Sequence, residues 1–215
     1  MHIPSETKLY VIRHGETEWN ITNRLQGGLD SPLTKAGKKQ THALGKHLQG
    51  EPIDMLISSP LGRTRQTTEI ICSYLPPIPV SFADTLQERS FGMFEGMTFA
   101  EIEEQFPALS PNTAEDRFLW LPPEGENWEH VCARVQSYIE YTAKIHAGKN
   151  IAIVCHLGIV KAILVTFGLL QRKDWFNVSI HNTSLSVIKI DGTGKATCDP
   201  CNSEKHLHER VRGED

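Results

Sequence analysis

Apolar and polar positions along the chain fall into short solid runs separated by longer amphipathic stretches. Leu9-Tyr10-Val11-Ile12 is apolar on both faces and ends abruptly at Arg13, His14 and Gly15, the pattern of a buried strand feeding a loop. A helix is predicted from Thr34, its N-cap, to about Gln49, with Gly50 just beyond its end. Met55-Leu56-Ile57 is a second buried strand, and Leu61 to Tyr74 reads as a helix stopped by Pro76, Pro77 and Pro79. Thr98 and Glu101 form a capping box for a short helix ending at Pro107. The longest helix is predicted from about Glu126 to Ala147, with Val131, Val135, Tyr138, Thr142 and Ile145 on one face before Gly148. Ile151 to Cys155 is a third buried strand, Ile159 to Phe167 a helix, and Ser184 to Ile190 a last strand.

Strands apolar on both faces and alternating with helices predict an α/β fold: a mostly parallel sheet with helices on both sides, in three layers. In such folds sites gather beyond the carboxyl ends of the strands. That rule selects Arg13-His14-Gly15, the stretch from Ser58 to Arg63, and His156-Leu157-Gly158. Residues 89–125 break the alternation and carry Phe91, Phe94, Phe99, Phe106, Phe118 and Trp120. They are expected to form a lid-like insertion over the sheet rim, within a domain spanning residues 1–190 and followed by a polar tail, 191–215.

Composition changes this picture little. The chain has 215 residues, 39% of them hydrophobic, and a net charge of −4, which weighs against nucleic acid as a partner. The longest apolar stretch, Ile159 to Leu170, is interrupted by Lys161 and is too short to span a membrane, and no export signal is visible, so a cytoplasmic location is expected. Five irregularly placed cysteines argue against a disulfide framework and agree with a reducing compartment. In the tail, Cys198 and Cys201 followed by His206 and His208 have zinc-like spacing. The competing reading is a polar strand with fortuitous cysteines.

Two histidines and two arginines delivered to one rim make a chemical proposal. Guanidinium groups engage phosphoryl oxygens in forked geometry, so Arg13 and Arg63 read as an anion trap. Neutral His14 offers a nucleophilic ring nitrogen if its other nitrogen is fixed by an acceptor, most economically a backbone carbonyl. Gly15 lets the backbone bend close to ring or ligand. His156 is placed to donate to growing charge on the phosphoryl oxygens, and Glu88 is the best-placed carboxyl for protonating a leaving oxygen. Taken singly, each residue also has an ordinary surface reading, such as solvent-facing Arg63 and Arg65 or a solvated Glu88–Arg89 pair.

Arg13-His14-Gly15-Glu16-Thr17 with Asn20, Arg24, Gln26 and Gly27 resembles the signature of the histidine phosphatase superfamily, the phosphoglycerate mutase-like family. The resemblance continues through Ser58 to Thr67, Leu86 to Gly96, Gly125-Glu126 and Val154-Cys155-His156. It covers about residues 8–190, and points to the phosphatase branch with α-ribazole phosphatases and broad-specificity phosphatases. The resemblance implies a phosphohistidine mechanism with His14 as nucleophile. Arg13, Arg63 and His156 would surround the phosphoryl group, Asn20, Gln26 and Gly27 would line the phosphate pocket, and Glu88 would act as acid and then base. It implies no metal or organic cofactor, and a small-molecule phosphomonoester as substrate: α-ribazole phosphate, phosphoserine or a sugar phosphate. Oligomeric state stays open, with a homodimer among the options.

One departure stands out. Relatives commonly carry Gly directly after the second histidine, where this chain has Leu157 before Gly158, which would narrow the pocket or demand an altered loop. Cofactor-dependent mutases of the family have a longer insertion, with a lysine and paired arginines for a substrate carboxylate. Here Phe99 stands near the place of the lysine, and residues 90–125 hold Arg117 but no lysine. A phosphatase is therefore expected, with a cofactor-dependent phosphoglycerate mutase and a noncatalytic phosphate-binding module as the alternatives.

Overall fold

The computed structural model describes residues 6–111 and 114–208. Its strands are β1 (Thr7–Arg13), β2 (Met55–Ser58), β3 (Val80–Phe82), β4 (Asn150–Cys155), β5 (Leu185–Ile190) and β6 (Ala196–Cys198). The helices are α1 (Glu18–Ile21), α2 (Lys35–Leu48), α3 (Gly62–Cys72), α4 (Phe99–Gln105), α5 (Ala114–Leu119), α6 (Trp128–Ile145), α7 (Leu157–Thr166) and α8 (Lys205–His208). The six strands form one sheet in the order β3-β2-β4-β1-β5-β6. The first four run parallel, while β5 is antiparallel to β1 and β6 to β5.

Alternate residues of the central strands feed two cores, as a sheet covered on both faces requires. Leu9, Val11, Ile151 and Ile153 face a cluster with α6 and α7, whereas Tyr10, Ile12, Ala152 and Val154 face Leu44 and Leu48 of α2 and Ile71 of α3. Helix starts follow local chemistry. Thr34 Oγ1 accepts from Gly37 N at 2.8 Å, and Thr98 with Glu101 closes the expected capping box.

Several expectations are corrected. β3 was not foreseen, because its three residues are exposed at the sheet edge and follow a proline-rich turn. On α6 the buried residues are Trp128, Val131, Cys132, Val135, Ile139 and Thr142, while Ile145 is 53% exposed where the helix ends and the chain turns toward β4. Helix α7 begins two residues earlier than predicted, directly after His156. The sheet continues past residue 190: β6 pairs with β5, and Leu185 bridges Ser203. Cys198 and Cys201 are joined in a disulfide across the turn after β6, which the reduced-cysteine expectation did not foresee. His206 instead packs into the interior, 3.3 Å from Thr183 Oγ1, and among the described residues no group of three or more His, Cys, Asp or Glu is arranged to hold a metal. No helix among the described residues is long and apolar enough to cross a membrane.

Candidate active site

The C-terminal ends of β1, β2 and β4 lie side by side, and a cavity of about 310 Å³ opens beyond them. Arg13, His14, Asn20, Gln26, Gly27, Arg63 and Glu88 all line it. Seven of the eight residues expected from the sequence thus converge. The eighth, His156, lies directly behind them, its ring centroid 5.3 Å from that of His14.

His14 is 3% exposed, and its Nδ1 lies 2.8 Å from the carbonyl oxygen of Gly15. A carbonyl only accepts, so Nδ1 carries the proton and Nε2 keeps its lone pair. Burial, followed by the neighbouring charges of Arg63 and Arg13, holds the His14 pKa well below its ordinary value, so the ring is neutral at physiological pH. Gly15 is needed for a reason other than bending toward a ligand. A Cβ there would come within 2.6 Å of Thr41 Oγ1, since the loop runs hard against α2.

Arg63 is 1% exposed, unlike Arg65, which is solvent-accessible and lies over the Phe82 ring. Its Nη1 donates to Leu29 O and Asp30 Oδ1, its Nη2 to Gly27 O at 2.8 Å, and its Nε to His156 Nδ1 at 3.2 Å. Four of the five N–H groups a guanidinium offers are thereby committed, leaving one on Nη2. Burial lowers the Arg63 pKa, opposed mainly by Asp30. Asp30 also accepts from the Gly62 and Arg63 N–H groups, so a single carboxylate caps α3 and aims its first side chain. On the other side, Arg13 Nη1 donates to Ile180 O at 2.6 Å while its buried Nε has no partner, a donor suited to an incoming anion. Desolvation lowers its pKa to about 10, against the pull of Glu88, and the group stays charged.

His156 differs from expectation in its placement. Its Nδ1 accepts from Arg63, and its Nε2, which must then carry the proton, lies 2.8 Å from Ser59 Oγ. Burial, then Arg63 and His14, hold its pKa well below the ordinary value. Because the carbonyls of residues 27 and 29 and Asp30 turn the guanidinium so that Nε faces the ring, His156 backs Arg63 rather than pointing an N–H into the cavity.

Glu88 sits at the start of α7, with Oε1 accepting from Arg89 N at 2.9 Å and Oε2 from Gly158 N at 3.2 Å. A Cβ on Gly158 would collide with the Trp128 ring and this carboxylate, so the close approach requires glycine at that position. Leu157 causes no altered loop: it opens a regular helix and adds an apolar side chain to the cavity wall. Asn20 Oδ1 accepts from Thr17 N and from Asn182 Nδ2, and Gln26 Nε2 donates to Thr17 Oγ1.

The insertion supplies the outer wall, where Phe91, Phe99 and Trp120 face the cavity together with Trp128, Leu157 and Phe176. Phe94, fully buried and packed on Phe106 and Trp120, serves the core instead. Glu95 ties the insertion to the phosphate-side loop by accepting from Gly28 N and Leu29 N. Arg89, read as a candidate surface residue, is 1% exposed. It donates to Glu126 O and Trp120 O, and lies within 4.7–5.1 Å of the ring centroids of Phe91, Trp120 and Trp128. Arg24 is paired with Glu101 through two nitrogens, whereas Arg117 stands at the exposed rim. Asp30, Glu95, Arg89 and Asn182 escaped sequence reasoning because their roles lie in contacts between distant segments.

Residues 9–201 match the model of the histidine phosphatase superfamily, branch 1. The chain is 31% identical over 184 residues to phosphoserine phosphatase 1 of Hydrogenobacter thermophilus, covering 86% of this chain and 87% of that protein. It is 30% identical over 177 residues to a 2,3-bisphosphoglycerate-dependent phosphoglycerate mutase of Cytophaga hutchinsonii, covering 80% and 82%. Among solved structures, Bacillus stearothermophilus YhfR superposes with a TM-score of 0.86 at 30% identity, covering 94% of this chain and 99% of that one. The alpha-ribazole phosphatase of Shigella flexneri gives 0.83 at 26% identity, covering 92% and 96%. With its buried neutral histidine between two arginines at the strand ends and a family match spanning most of its length, this chain belongs to branch 1 of the histidine phosphatase superfamily.

Proposed function

We propose that the protein is a phosphomonoesterase that works through a phospho-His14 intermediate. The observation that carries this reading is the His14 ring, held neutral with Nδ1 on Gly15 O and Nε2 free to attack. In the first step Nε2 bonds to phosphorus and the ester P–O bond breaks. Protonated Glu88 gives its proton to the departing oxygen, leaving an alcohol and phospho-His14. In the second, Glu88 as carboxylate takes a proton from water, whose oxygen displaces the phosphoryl group from Nε2 and releases inorganic phosphate. Arg13, through its uncommitted Nε, and Arg63, through its remaining Nη2 proton, meet the charge on the phosphoryl oxygens.

Hydrolysis is favoured over mutase chemistry by the wall of the cavity. Phe91, Phe99, Trp120, Trp128, Leu157 and Phe176 suit a partly apolar leaving group, while Arg24 and Arg89 are engaged by Glu101 and by backbone carbonyls. Acid-labile labelling by a ³²P-phosphomonoester, abolished in His14→Ala, tests the intermediate. Turnover of a phosphomonoester panel beside bisphosphoglycerate-dependent phosphoglycerate interconversion tests the branch. Wild-type turnover in His14→Ala overturns the mechanism, and efficient interconversion overturns the phosphatase assignment.

A further inference from the structure

We infer that the loop of residues 180–183 is a positioning device for the nucleophile, with Asn182 as its working side chain; this rests on the phospho-His14 reading. The loop grips the end of β1 through its backbone and the Asn182 side chain. Ile180 O receives Arg13 Nη1, and Thr183 N lies 3.1 Å from Arg13 O and 3.2 Å from His14 O. Asn182 Nδ2 donates both to His14 O at 3.0 Å and to Asn20 Oδ1 at 3.1 Å. One amide thus ties the backbone of the nucleophile to Asn20, a residue lining the cavity.

The backbone at this loop is under strain. Thr183 is β-branched and fully buried, yet adopts φ 59°, a left-handed conformation that such residues rarely take. That conformation accompanies the Thr183 N–H contact with the two carbonyls of β1. The C-terminal segment braces the loop from outside. Asn202 Nδ2 donates to Ser179 O at 2.8 Å, His181 N donates to Asn202 Oδ1, His181 Nδ1 meets Glu204 Oε2, and His206 contacts Thr183 Oγ1. Asn202 lies one residue past the Cys198–Cys201 link, so the turn after β6 serves the site through this loop without touching the cavity. A strained, buried conformation maintained by surrounding contacts is what a site needs where a small displacement of a reacting atom is costly; about 1 Å of misplacement can cost on the order of 100-fold in rate.

The test is rapid-quench measurement of phospho-His14 formation in the full chain, with inorganic phosphate as competitive probe of the anion site. In Asn182→Ala the phosphorylation rate is expected to fall roughly 30- to 100-fold. The substrate Kd, read from the concentration dependence of that rate, and phosphate inhibition should stay within about threefold, because Arg13 and Arg63 keep their own anchors. Asn182→Asp, which sets carboxylate oxygens against His14 O and Asn20 Oδ1, should fall at least as far while keeping the side-chain shape. Phosphorylation at the wild-type rate in Asn182→Ala overturns the inference, as does a loss confined to the substrate Kd. A loss that vanishes on cooling to where the variant is fully folded also overturns it, by reducing Asn182 to a structural residue. Absence of phospho-His14 in the wild type would instead sink the reading beneath it, which keeps the two failures distinct.

Discussion

Asp30→Asn isolates the single carboxylate that aims Arg63. Asp30 Oδ2 accepts from Gly62 N at 2.6 Å, and Oδ1 accepts from Arg63 N at 3.1 Å and Nη1 at 2.8 Å. Its guanidinium partner has a side chain 1% exposed, while the carboxylate itself is 35% exposed. Breaking a fully buried pair costs about 3–5 kcal/mol and an exposed one about 0–1, so a pair with one wet partner falls near 2 kcal/mol after discounting for solvent screening. Asparagine keeps one oxygen acceptor but must turn a donor toward one of the three N–H groups, so the lost bond is not recovered. For a chain of this size about 2 kcal/mol corresponds to a fall in Tm of about 4–8 °C. Asp30→Ala also removes the cap of α3 and should cost about 1 kcal/mol more. Calorimetry of the two variants beside the wild type reads this directly, and raising the salt should narrow the gap for Asp30→Asn. A Tm for Asp30→Asn within about 1 °C of the wild type would refute the argument. It would mean that Gly27 O and Leu29 O alone suffice to hold the buried guanidinium.

Two further outcomes are expected. The His14 and His156 pKa values are depressed, so below about pH 6.5 the unfolded chain takes up protons that the folded chain refuses. Stability should therefore fall by about 1–3 kcal/mol from pH 7 to 5.5, and urea titrations should show a shallower slope for His14→Ala; equal slopes would place the proton uptake elsewhere. Leu157→Gly removes an apolar side chain from the wall, and should lower kcat/KM for aryl phosphates roughly fivefold while sparing sugar phosphates, about 1 kcal/mol of lost contact. A uniform change across the panel would assign Leu157 to helix packing instead.

Local pattern determined much of this protein. Solid apolar runs ending at Arg13-His14, Ser58 and His156 announced buried parallel strands, because only a sheet covered on both faces tolerates them. The rule that sites gather at strand ends then brought forward His14, Arg13 and Arg63. Thr34 and the Thr98–Glu101 pair marked helix starts, since a cap is a contact between residues three apart and is written in the sequence. What the chain could not disclose locally was set by contacts between segments far apart. Arg63 faces inward because carbonyls from residues 27 and 29 and the Asp30 carboxylate meet it there, and the same arrangement turns His156 to a supporting place. Arg89 is buried because two late carbonyls and three rings close around it. β3 forms at the sheet edge by pairing with β2, although its own residues are exposed. Asn182 reaches His14 across 168 positions of chain, a distance at which no periodicity carries information and only the folded sheet decides which atoms meet.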